Sequence, residues 1–91
     1  MQFMATISLD TARRVEVERL IPAESVRVRE LRQQGLLEAL YVPDASGPPA
    51  TLWVVFSGDS RDAIQRAIET LPLYPYMHLD LTPLRALEGG R

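Results

Sequence analysis

The sequence predicts a single α+β domain with the element order βαββαβ. Three observations predict it. Residues 2–9 and 76–82 alternate apolar and polar with the period of a strand. Residues 61–71 carry apolar side chains at helical spacing. Clusters of Gly, Pro, Ser and Asp divide the chain into segments of the length expected for a four-stranded sheet with two helices.

In the first strand Phe3, Ala5, Ile7 and Leu9 share one face, and Met4, Thr6 and Ser8 share the other. Asp10 or Thr11 then caps a helix, because a short oxygen-bearing side chain can accept from the free N–H groups of the first turn. This helix is expected over about 11–34, with Gly35 as its C′ residue. Pro22 lies inside it and predicts a kink or two abutting helices, since proline removes one helical hydrogen bond. The apolar stripe reads Val17, Leu20, Ile21, Val28 and Leu31. Glu24, four residues after Leu20 and four before Val28, stands on the same line and places a carboxylate where the core should lie.

Residues 36–43 form the second strand and residues 44–49 a loop. Residues 50–57, apolar on both faces, form the third and are expected at the sheet centre. Gly58, Asp59 and Ser60 lead into the second helix, whose stripe is Ala63, Ile64, Ala67, Ile68 and Leu71. Pro72 stops it, and the two prolines of the 71–77 segment predict a stiff, extended connection. In the last strand Met77, Leu79 and Leu81 face the core, and Tyr76, His78, Asp80 and Thr82 face away. The domain is expected to span 1–84, with 85–91 as a C-terminal tail.

Two helices cover only one face of such a sheet. The other face is expected to carry Met4, Thr6, Leu40, Val42, Tyr76 and His78, several of them too apolar for open solvent. A domain of 91 residues also buries only about 60–65% of its unfolded surface. With no Cys, neither a disulfide nor a zinc–thiolate centre can supply the missing stability. Packing of a second copy on the open sheet face answers both problems, so a homo-oligomer is expected.

Composition narrows the chemistry. All ten basic residues are Arg, which excludes a Schiff-base or P-loop lysine. A lone His argues against a site built on two imidazoles. The net charge of −2 and the lack of a basic run argue against nucleic acid. No stretch approaches the ~20 apolar residues of a membrane span. The N-terminal residues lack the pattern of a signal peptide, and a cytoplasmic location is expected.

The segment Leu71-Pro-Leu-Tyr-Pro-Tyr-Met77, followed by an alternating strand, resembles the Leu-Pro-Leu-aromatic-Pro-Tyr motif of the muconolactone isomerase family. Phe3 in the first strand, Leu31 and Gly35 at the end of the first helix and the aromatic Tyr41 fit the same pattern. The resemblance covers essentially the whole chain. It implies a ferredoxin-like dimeric α/β barrel whose dimers assemble into larger rings, typically decamers. It also implies an isomerase that needs neither metal nor organic cofactor and moves a proton in an unsaturated lactone. The family's acid/base glutamate, eleven residues before the helix-ending glycine, falls on Glu24. A carboxyl in apolar surroundings has its pKa raised, which suits a group that takes and returns a proton near neutrality.

Several positions depart from the family. Met4 and Thr6 stand where it tends to carry His and Lys, Val42 where it carries Arg, and SGPPA where it has a polar loop. The groups expected to hold a substrate carboxylate are therefore missing, which points to a changed, less anionic substrate or to lost activity.

The remaining site candidates are substrate contacts. Tyr41, Tyr74 and Tyr76 offer walls for a planar ring; buried aromatics are more often core or interface than ligand contacts. Arg27, one turn from Glu24, offers an anion clamp, or else a surface ion pair. His78 offers a donor or a second proton carrier, or else an interface side chain. Two other functions fit the same fold. One is a small-ligand-binding or scaffold protein without catalysis. The other is an oxygenase, cofactor-free or haem-dependent with His78 as the iron ligand.

Overall fold

A computed structural model describes residues 1–89. Its strands are β1 (Gln2–Leu9), β2 (Leu37–Tyr41), β3 (Thr51–Ser57) and β4 (Met77–Leu84); its helices are α1 (Arg14–Gln33) and α2 (Arg61–Glu69). The strands form one antiparallel sheet in the order β2-β3-β1-β4. The fold is therefore α+β with the expected βαββαβ order. β3 lies inside the sheet, as its two apolar faces predict. Beyond Leu84 there is no helix or strand as far as Gly89, and residues 90–91 of the expected tail lie outside the described residues.

Both helices cover the same face of the sheet. Phe3, Ala5 and Ile7 of β1 form one buried cluster with Val54 and Phe56 of β3 and Leu81 of β4. Leu31 of α1 and Ile64 and Ile68 of α2 close it, each with no exposed surface.

The helix ends follow from local chemistry. Asp10 accepts from the Ala12 N–H at 3.0 Å and starts a 3-10 turn over Thr11–Arg13 that leads into α1. Gly35, at φ +79°, closes α1 in the left-handed conformation that favours glycine. The Leu36 N–H bonds the Leu31 carbonyl and the Gly35 N–H bonds that of Arg32, the two bonds of a Schellman end. Ser60 caps α2 by accepting from the Ala63 N–H at 3.1 Å.

Four expectations are corrected. First, of the two outcomes expected at Pro22, two abutting helices do not occur: α1 runs through it as one helix. Proline removes one helical hydrogen bond there, while Val17 and Leu31, buried on either side, hold both halves to the same sheet face. Second, the 71–77 segment is not extended. The Tyr74 N–H bonds the Leu71 carbonyl and the Tyr76 N–H that of Leu73, both at 2.9 Å, around a 3-10 turn over Tyr74–Tyr76. The φ that Pro75 imposes fits this turn as well as it fits an extended chain.

Third, Leu40 belongs to the helix-covered face. A bulge between Leu37 and Ala39 sets two β2 residues against one of β3, so Leu40 pairs with Val54 and Tyr41 with Trp53. Fourth, several strand limits move. β2 ends at Tyr41, β3 starts at Thr51 and β4 continues through Pro83 to Leu84. Pro83 is tolerated because β4 is an edge strand that pairs with β1 alone.

Candidate active site

A cavity of about 460 Å³ lies between α1 and the sheet. That is within the range of small-molecule sites. Its helix wall is Val17, Ile21, Glu24 and Val28, the stripe foreseen in the sequence. Ile7, Leu9, Leu40, Leu52 and Val54 supply the sheet wall, and Leu71, Leu73 and Met77 close it from the turn before β4. Four exposed polar residues, Asp10, Thr11, Arg14 and Glu18, form a rim with Pro48 and Pro49 of the β2–β3 loop.

Glu24 is half-buried in this wall. Its Oε1 accepts from the Leu73 N–H at 3.0 Å. Burial raises its pKa above the ordinary 4.5, and the Leu73 N–H opposes that rise by favouring the charged form. Oε2 has no hydrogen-bond partner among the described residues. The arrangement can hold a carboxyl in a fixed orientation beside an apolar chamber, with one oxygen free for a proton.

The other candidates do not line the cavity of a single chain. The Arg27 Nε donates to Thr70 Oγ1 at 2.9 Å, and one of its terminal nitrogens meets Glu30 Oε1 at 3.4 Å, so its guanidinium turns toward α2 rather than Glu24. Tyr74 packs against the core cluster, and its hydroxyl accepts from Gln65 Nε2 at 3.3 Å. Tyr76 lies under the Arg13 guanidinium, 5.6 Å from the ring centroid. Tyr41 is exposed on the sheet face that no helix covers. His78 is also exposed on that face, paired with Ser8, so Glu24 and His78 lie on opposite sides of the sheet. The Tyr–Pro–Tyr turn carries its rings away from the chamber and instead brings the Leu73 backbone to Glu24.

Ser25, Arg14, Glu18 and the apolar sheet residues were not singled out from the sequence. The alternation of β1 places Ile7 and Leu9 on one apolar face with Phe3 and Ala5. Among the described residues no group of three or more His, Cys, Asp or Glu side chains is placed to hold a metal ion. No helix among them is long and apolar enough to cross a membrane.

Comparison with known proteins gives a consistent picture. The sequence profile of the muconolactone delta-isomerase family matches residues 1–88. No curated protein sequence matches. Among solved structures, a muconolactone isomerase aligns over 98% of this chain and 94% of its own, with a TM-score of 0.77 and 22% identity. A 5-chloro-2-hydroxyhydroquinone dehydrochlorinase from Burkholderia phenoliruptrix AC1100, solved with 2,5-dihydroxybenzoquinone, aligns over 93% and 94% with a TM-score of 0.73 and 10% identity. At these identities the two structures show a shared fold.

Proposed function

Since the chain belongs to the muconolactone delta-isomerase family, we propose that it is a cofactor-independent isomerase acting on a small unsaturated lactone or enolisable carbonyl compound. The observation that carries this reading is Glu24, a carboxyl of raised pKa in the wall of an apolar cavity, with Oε1 held by the Leu73 N–H. In this reading Glu24 takes a proton from the carbon at the far end of the conjugated system and returns it to the carbon next to the carbonyl. The two transfers together move one proton and shift one double bond, so no oxidant or second substrate enters. The apolar walls exclude water and hold the planar ring against the carboxyl. The fold accommodates other chemistry too, since the second structural neighbour is a dehydrochlorinase.

The open sheet face supports a homo-oligomer, a dimer at least. Met4, Thr6, Trp53 and Val55 lie across its centre by register, and among the described residues no helix covers them. A second copy packed there would bury them.

Proton exchange tests the isomerase reading. Unsaturated five-membered lactones incubated with the protein in heavy water should incorporate deuterium at the carbon next to the carbonyl, as followed by NMR. Glu24→Gln should slow this by at least roughly a hundredfold. Undiminished exchange in that variant sinks the assignment.

A second reading is a ligand-binding or scaffold protein that has lost catalysis. It is favoured by Met4, Thr6 and Val42, which offer no charge where the resembling family has His, Lys and Arg. Lactone binding without any exchange above the protein-free rate would select it.

A further inference from the structure

We propose that Glu18 is a specificity-determining residue, which makes the cavity accept neutral lactones or carbonyl compounds and reject those that bear a carboxylate. The inference deepens the isomerase reading and rests on the same cavity being the binding site.

Among the described residues four charged side chains line the cavity, and three of them are carboxylates: Asp10, Glu18 and Glu24. The fourth, Arg14, is the one cation in the lining. Its Nε lies 3.3 Å from Glu18 Oε1, an i,i+4 pair on α1. A ligand carboxylate reaching the remaining N–H groups of Arg14 shares that cation with Glu18 and lies beside a second negative charge.

Neither neighbouring arginine fills the gap. Arg13 is engaged with Glu16 and the Tyr76 ring, and Arg27 with Thr70 and Glu30. Further in, the walls are Val17, Ile21, Val28, Leu52 and Met77, and the Leu73 N–H is taken by Glu24. A carboxylate carried there is desolvated without a partner and lies near the Glu24 charge, both unfavourable. A neutral ligand carries neither cost.

Calorimetric titration with two probes tests this: a five-membered unsaturated lactone bearing an acetate side chain, and the methyl ester of the same compound. The ester should bind about tenfold more tightly or better, given the cost of desolvating an unpaired carboxylate. Glu18→Gln removes the negative charge beside Arg14 and should raise the affinity for the acetate relative to that for the ester by about twofold to fivefold, the size of an exposed ion pair. Adding Arg14→Gln to Glu18→Gln should remove the gain. Equal or tighter binding of the acetate by the unaltered protein overturns the proposal. So does an unchanged ratio in Glu18→Gln, or failure of both probes to bind. Because the titration reads binding and not turnover, ester-selective binding without proton exchange leaves the charge selection standing and removes the isomerase reading alone.

Discussion

The Leu73 N–H donates to Glu24 Oε1 at 3.0 Å across 49 residues of chain. Glu24 is carried by α1 and Leu73 by the turn that leads into β4, so the bond ties the helix wall of the cavity to its floor. It gives the Leu-Pro-Leu-Tyr-Pro-Tyr segment a physical role: the segment presents a backbone donor to the carboxyl.

That bond makes Glu24→Gln a clean test. The Gln Oε1 can still accept from the Leu73 N–H, so the fold should persist while the proton carrier is lost. The rate of isomerisation should fall at least roughly a hundredfold with KM little changed. Circular dichroism should match that of the unaltered protein.

The raised pKa of Glu24 gives stability a pH dependence of definite sign. The folded state binds this proton more tightly than the unfolded state, because burial raises the folded pKa above 4.5. The group's contribution is fully present below the unfolded value and is lost as pH rises through the folded one. Glu24→Gln has no such loss. Its melting temperature, relative to that of the unaltered protein, should climb over the range above pH 4.5 in which the folded carboxyl ionises, and then level off. A difference that stays flat over that range would contradict the burial described. The rate should show the complementary limb, rising with pH as the carboxyl ionises, with a midpoint above 4.5.

Filling the chamber should separate binding from folding. Val28 lines the cavity and packs beside the core. Val28→Phe adds bulk on the cavity side, where there is room, and should weaken lactone binding by about tenfold or more, a loss on the order of 1.4 kcal/mol. Its melting temperature should move little, in contrast to a core variant.

Leu31→Ala is that core variant. Leu31 has no exposed surface and packs in the cluster between the helices and the sheet. Its truncation should cost about 2–5 kcal/mol, measurable by urea denaturation. In a domain of this size that is a large part of the total.

Light scattering at micromolar concentration should give at least twice the monomer mass. Trp53→Asp places a charge at the centre of the uncovered sheet face and should shift the population toward monomer. A monomeric unaltered protein would contradict the proposed packing.

Much of the fold was legible because it rests on local periodicity. The alternation of β1 and β4, the stripe of α2, the Gly35 end and the Asp10 cap depend on residues within a few positions of one another. Glu24 was legible for the same reason, as a carboxyl at the helical spacing of Leu20 and Val28. The face of Leu40 was not, because one bulge residue reverses a period of two and nothing in LLEALYVP marks the bulge. The directions of Tyr74 and Tyr76 were not legible either, because two prolines suit a 3-10 turn as well as an extended chain.

By itself the sequence determined the element order, the helix-covered face of β1 and β4, and the candidate carboxyl, since each follows from short-range spacing. The tertiary structure decided the rest. It chose Leu73 as the partner of Glu24, put Arg14 and Glu18 at the rim, and turned Tyr74, Tyr76 and Arg27 away. Those relationships join elements far apart in the chain, and they exist only once α1 and the turn before β4 have packed on one sheet face.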